Sequence, residues 1–306
     1  MIPRIAYEET GMNPKVTNIY SSLDSINRDS ARKVTITGTV TFPDWDGVND
    51  HIQGIAPWNG TTADMGCIAG SSTDGAYFAT FQSSRVQAVR IWPDRPQDYD
   101  HAGGVQLLGS ILPLSVESDN EDDKAVVGFY DLSSLSAPTL KYRFDMPGRK
   151  ASATAITNFT SGSTEKALLA VYEYDPRYMR FYIADYDQVG GTSNPWRETA
   201  QYIGDLSDGD QYQNFAMVTG TNNVIYLLGF RENEELHLFE VQSRNDPFQI
   251  TGITRLKTYT DWKGGSDWRY GVGAQIVNSS QIRIFGTDKD PSGSERDYKF
   301  NIYVWS

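Results

Sequence analysis

Three histidines occur in the chain, and two of them follow an aspartate: Asp50-His51 and Asp100-His101, at positions 51 and 101. Neutral imidazole near pH 7 ligates metal ions and moves protons, so the pair is a candidate for either task. A capped turn inherited by two copies of one unit would leave the same trace, and both readings stay open. His237 lies in an alternating run, Glu235-Leu236-His237-Leu238, and reads as an ordinary sheet residue.

Oxygen ligands recur in Asp288-Lys289-Asp290-Pro291-Ser292-Gly293-Ser294, with glycine at the sixth place. That resembles the opening of a calcium loop of the EF-hand type, with Asp288 and Asp290 as ligands. Lys299 stands where the bidentate glutamate belongs, so a plain hairpin loop is the stronger reading. Calcium or a transition metal on His51 and His101 are the two cofactor expectations. Glu117 and Glu173 end matching strands and, with Asp50 and Asp100, could supply the acid and base of glycoside hydrolysis. Five-bladed glycosidases are similar in architecture, yet none of their local motifs surrounds these residues. Glycine-rich phosphate loops, Gly-x-Ser-x-Gly elbows and His-Glu-x-x-His are absent.

Arg149, Lys150, Arg269, His51, His101 and Tyr270 form a partly cationic set on an acidic chain. The set resembles the His, Tyr and Arg groups with which propeller-type polysaccharide lyases hold carboxylates. The resemblance implies His51, His101 and Tyr270 as catalytic groups if the protein is an enzyme. The plainer alternative pairs the cations with Asp50, Asp100 and Asp267. Trp45, Trp262 and Trp268 flank the same positions and could stack on a sugar ring.

The elements that must position these residues follow a repeat. Helical periodicity is nearly absent, and short β-branched and aromatic runs alternate with Gly, Asp, Asn and Ser clusters. Four runs recur in the same order, giving units of about 51–97, 101–147, 151–206, 213–260 and 270–306. The last has only three runs, and the alternating segment Lys33 to Phe42 supplies the fourth. A spacing near fifty residues suits one four-stranded blade. The expected fold is all-β, a five-bladed β-propeller of four-stranded antiparallel blades closed by the N-terminal strand. Residues 1–32 form an extension or cap, with a short helix within Asn18 to Asn27, and 33–306 form a single domain. A pair of β-sandwiches is the competing architecture.

In such blades the inter-blade loops and the second-to-third turns share one end. That end collects Asp50-His51, Asp100-His101, Arg149-Lys150, Tyr212-Gln213 and Arg269-Tyr270. The innermost strands place Gln53, Gln106, Ser152, Asn214 and Gln275 near the axis. The expected ligand-binding set is therefore Asp50, Gln53, Asp100, Gln106, Arg149, Lys150, Asn214, Trp268, Arg269 and Gln275.

Composition narrows the partners. With 39 acidic and 27 basic residues the net charge is −12, which disfavours nucleic acid and anionic membrane surfaces. The longest apolar runs, such as Val224 to Leu228, are too short to span a bilayer. Met1 to Glu9 already carries Arg4, Glu8 and Glu9, unlike a signal peptide. A soluble protein is expected, cytoplasmic or secreted after removal of a leader. The lone Cys67 excludes an internal disulfide and a multi-cysteine zinc site. The leading functional expectation is recognition of a polar small molecule or carbohydrate at the funnel. The alternative is a metal-assisted hydrolase or polysaccharide lyase using His51 and His101, and a protein-interaction scaffold is a third.

Overall fold

The computed structural model describes residues 12–38, 51–93, 99–118, 124–174, 177–202, 206, 212–245, 248–266, 268–288 and 299–306. Among them the regular structure is almost entirely β. Strand β1 (Arg32–Thr37) follows one helix, α1 (Ile19–Asp24). A first group comprises β2 (His51–Pro57), β3 (Met65–Ser71), β4 (Tyr77–Gln82) and β5 (Arg85–Ile91). A second comprises β6 (His101–Ala102), β7 (Ile111–Glu117), β8 (Ala125–Asp131) and β9 (Thr139–Asp145). A third comprises β10 (Ala153–Ser161), β11 (Thr164–Glu173), β12 (Tyr178–Asp185) and β13 (Arg197–Tyr202). The fourth holds β14 (Tyr212–Thr219), β15 (Ile225–Arg231), β16 (Leu236–Asn245) and β17 (Phe248–Tyr259). The last holds β18 (Val272–Asn278), β19 (Gln281–Thr287) and β20 (Lys299–Trp305).

The second, third and fourth groups are separate four-stranded antiparallel sheets. The first and last share one eight-stranded sheet, in the order β18-β19-β20-β1-β5-β4-β3-β2. Within it β1 pairs antiparallel with β20, from Arg32↔Val304 to Thr37↔Lys299. A single parallel pair, Thr37↔Arg85, joins the two halves. The sequence therefore places β1 on the right neighbour, while the expectation of five separate sheets meets a fused pair. The physical reason is local: Thr37 N–H donates to Ser84 O at 2.9 Å, satisfying an edge that would otherwise stand open.

Burial follows chain order within each group. Strand β7, ILPLSVE, is buried along its whole length, whereas β9, TLKYRFD, buries only Tyr142 fully. Early strands are covered on both faces, and late strands keep one face in water, so charge accumulates outward. Five apolar clusters lie between the groups: first with second, second with third, third with fourth, fourth with last, and last with first. Burial of each large apolar side chain in these seams contributes about 1.5–3 kcal/mol. Close approach of the innermost segments depends on glycine. A Cβ on Gly54 would lie 2.9 Å from Gly104 Cα, and one on Gly104 would lie 2.2 Å from Asn214 Oδ1.

Residues 12–31 cross the turns that follow the innermost strands, at the end opposite His51. Asn13 donates through Nδ2 to Leu107 O (2.9 Å) and through its own N–H to Asn158 Oδ1 (2.9 Å). Val16 N–H donates to Thr219 O (2.9 Å), and Thr17 N–H to Ser279 O (2.7 Å). Helix α1 falls inside the expected segment, and Asn18 caps it by accepting from Ser21 N–H at 3.1 Å. No helix among the described residues is long and apolar enough to cross a membrane.

Candidate functional site

Three of the expected residues meet at the end where the innermost strands begin. His51 opens β2, His101 opens β6, and Tyr270 stands two residues before β18. The His51 and His101 ring centroids are 5.9 Å apart at 68°, and His51 and Tyr270 are 5.4 Å apart at 75°. All three are half-buried, so their rings are both fixed and accessible. The guanidinium of Arg269 lies 5.3 Å from the Tyr270 ring centre, within cation–π range.

Register explains the convergence. His51 pairs across the sheet with Ser71, and Ser71 Oγ lies 3.4 Å from His101 Nδ1. The hydroxyl of one group thus orients the imidazole of the next. Gln53, two residues along β2, bonds through Nε2 to His51 Nε2. His101 in turn pairs with Glu117, placing a carboxylate beside the imidazole on the same face. Glu117 is buried and accepts from Ala151 N–H (2.7 Å) and Ser152 Oγ–H (3.2 Å).

The expected cationic set is largely committed to protein partners. Arg149 NH1 donates to Glu198 Oε2 at 3.0 Å. Lys150 Nζ donates to Ser118 O at 2.7 Å. Glu198 also accepts from Arg180 at 3.2 Å, and Arg180 pairs with Glu173. Burial pushes the Glu173 carboxyl above the ordinary range, with Arg180 and Arg149 pulling against it. Glu117 and Glu173 therefore do not present an exposed acid–base pair. Asp100 is half-exposed beside His101.

Three amides expected near the axis are structural in their bonding. Gln106 is buried; its Oε1 accepts from Ile156 N–H (2.9 Å) and Met217 N–H (2.7 Å), while Nε2 donates to Met217 O (2.8 Å). Asn214, also buried, donates to Val272 O and accepts from Phe215 N–H at 2.7 Å. Gln275 donates to Trp58 O at 2.8 Å. Gln106 and Asn214 thus bridge neighbouring innermost strands, whereas Gln275 Oε1 is buried without a hydrogen-bond partner among the described residues.

Trp268 and Trp262, expected at the ligand, are both buried. Trp268 is 0% exposed, and its ring packs against Phe230, Trp262 and Trp305 at centroid distances of 5.8, 5.2 and 5.9 Å. Apolar area outweighs the indole's use at a surface, and the ring joins the seam between the fourth and last groups. His237, expected as a plain sheet residue, is buried between Tyr212 OH (2.7 Å to Nδ1) and Glu235 Oε2 (3.4 Å to Nε2).

Asp288 accepts from Asn301 N–H (3.2 Å) and Tyr303 OH (2.9 Å). Burial, helped by this carboxylate, pushes the Tyr303 phenol up to about 12. Asp50, Asp290, Asp267 and Trp45 lie outside the described residues. No group of three His, Cys, Asp or Glu side chains that could hold a metal ion occurs among the described residues.

Sequence reasoning passed over Tyr174, which is 37% exposed at the end of β11, on the same end as His51. Its N–H donates to Ser152 Oγ at 3.2 Å. As the last residue of a strand-like run it carries no signal of exposure.

No family model matches the chain, and no curated protein matches it. Among solved structures it is similar to an α-L-arabinofuranosidase from Podospora anserina in complex with cellotriose. The identity is 11%, the TM-score 0.47, and the match covers 90% of this chain and 97% of that one. It is also similar to a six-bladed β-propeller fucose-recognising lectin from Aleuria aurantia, with 11% identity, TM-score 0.45, and coverage of 85% and 88%.

Proposed function

We propose that the chain is a five-bladed β-propeller that binds a hydroxyl-rich polar small molecule or glycan where His51, His101 and Tyr270 meet. Support for the propeller comes from the five apolar seams, which link each group to the next and the last to the first. The last blade would then be β18, β19, β20 and β1.

The observation that carries the binding reading is the meeting of three half-buried rings from three different groups at one end. Imidazole and phenol offer hydrogen-bond donors and acceptors without a fixed charge, and Arg149 and Lys150 are engaged elsewhere. A neutral polyol fits these rings, and the Arg269 guanidinium beside them lies against the Tyr270 ring. Small-molecule sites concentrate at the mouths of closed β structures.

Screening of the purified protein against immobilised neutral and acidic glycans tests the reading. Binding to neutral glycans that Tyr270→Ala abolishes is expected; a preference for acidic glycans, unchanged by that substitution, contradicts it.

A second reading is favoured by the contacts of His51 with both His101 and Tyr270. Groups with protons to exchange, held this close, could act as acid and base on a bound saccharide. Hydrolysis or elimination would appear as new reducing ends or unsaturated products from a polysaccharide panel. Turnover lost in His51→Ala and His101→Ala would favour this reading over simple binding.

A further inference from the structure

We infer that the site extends along the seam between the second and third groups to a second saccharide subsite, in which the Tyr174 ring stacks on a sugar. This rests on the glycan reading of the His51–His101–Tyr270 mouth and deepens it, since a ligand reaching Tyr174 must be an oligosaccharide.

A continuous series of contacts leads from His101 to Tyr174. His101 and Glu117 are direct cross-strand partners, so their side chains stand about 4.5–5.5 Å apart at Cβ. The Glu117 carboxylate accepts from Ser152 Oγ–H at 3.2 Å, and Ser152 Oγ accepts from Tyr174 N–H at 3.2 Å. Lys150 Nζ, bonded to Ser118 O at 2.7 Å, ties the loop before Ser152 to the chain just after Glu117. Glu117 and Ser152 are positioning residues: they fix the backbone from which the Tyr174 ring projects.

Exposure singles Tyr174 out. The described large apolar side chains that face solvent are Tyr20, Ile91, Tyr174 and Leu256. Tyr20 lies in α1, at the opposite end, and Leu256 lies along the outer strand β17. Ile91 ends β5 and has no π face. Tyr174 alone among them is an aromatic ring at the end where His51 and His101 open their strands. An aromatic face held on a fixed backbone offers apolar contact area at low cost in conformational entropy, and its hydroxyl remains hydrated. A sugar ring, apolar on one face and hydroxylated at its rim, matches it.

The test is calorimetric titration of the intact protein with neutral gluco-, manno-, galacto- and xylo-oligosaccharides of one to four residues. Wild type, Tyr174→Ala, Tyr174→Phe and His101→Ala are compared. Affinity should rise with length in wild type. Tyr174→Ala should weaken a trisaccharide roughly tenfold while leaving the monosaccharide unchanged, and Tyr174→Phe should retain most of the affinity. His101→Ala should weaken every length. Length dependence that survives Tyr174→Ala overturns the second subsite while His101→Ala still upholds the mouth as a glycan site. Absence of binding to every saccharide by wild type overturns both.

Discussion

His51 and His101 occupy the same place in successive groups, and their rings meet edge to face with centroids 5.9 Å apart. Each opens the innermost strand of its group, so equivalence in sequence becomes adjacency in space. Ser71 completes the link, standing opposite His51 in β3 while its hydroxyl lies 3.4 Å from His101 Nδ1. A third ring, Tyr270, approaches His51 from the last group. One side chain from each of three groups therefore builds a single surface.

That surface stands on a stapled interior. Gln106→Ala would leave Ile156 N–H, Met217 N–H and Met217 O without their amide partners. Each orphaned buried group costs about 1–3 kcal/mol. The expected outcome is a fall in the denaturant midpoint equivalent to about 3 kcal/mol or more, with glycan affinity of the folded protein unchanged. A lower affinity at undiminished stability would return Gln106 to the binding set.

Trp268 offers a parallel distinction. Its burial among Phe230, Trp262 and Trp305 predicts that Trp268→Ala costs about 3–5 kcal/mol and leaves binding intact. Urea denaturation followed by tryptophan fluorescence reads the first effect, and titration at low temperature reads the second. Lost affinity without lost stability would place the ring at the ligand.

The Glu235 carboxyl makes a prediction in pH. Burial raises it, but the hydrogen bonds from Asn233 and Arg231, with the charges of Arg231 and His237, outweigh burial and hold it below the ordinary range. A depressed acid stabilises the fold above its unfolded pKa and loses that stabilisation as pH falls through its folded one. Stability should therefore drop below the usual glutamate value of about 4.3, and Glu235→Gln should make that drop shallower. An acid profile identical to wild type would show that Glu235 contributes nothing there.

Much of the fold is legible in the sequence because β-branched and aromatic runs recur in one order between turn-forming clusters. Lys33 to Phe42 alternates, and 32–37 pairs with 299–304. The repeat also brings His51 and His101 to one end without any three-dimensional information. What escapes is the direction a polar or aromatic side chain turns. Gln106 and Asn214 look like ligand amides, since only the fold reveals the strand backbones that consume their hydrogen bonds. Trp268 looks like a stacking platform because tryptophan suits surface and core alike. Tyr174 looks like core because it continues an apolar run, yet it stands one residue past β11 and is exposed. The Tyr212–His237–Glu235 contact joins β14 to the start of β16, a pairing with no local signature.

The most direct test is calorimetric titration of the tightest glycan from the screen into wild type and into the His51→Ala/His101→Ala double variant. Lys257→Ala, whose amine on the outer strand β17 is bonded to Asp24 Oδ1 of α1, serves as the control. Both histidines are half-buried at strand starts, so the double variant should fold with nearly wild-type stability. Loss of binding in the double variant, with Lys257→Ala close to wild type, is the predicted result. Full affinity in a folded double variant would contradict the claim that the histidine mouth is the binding site.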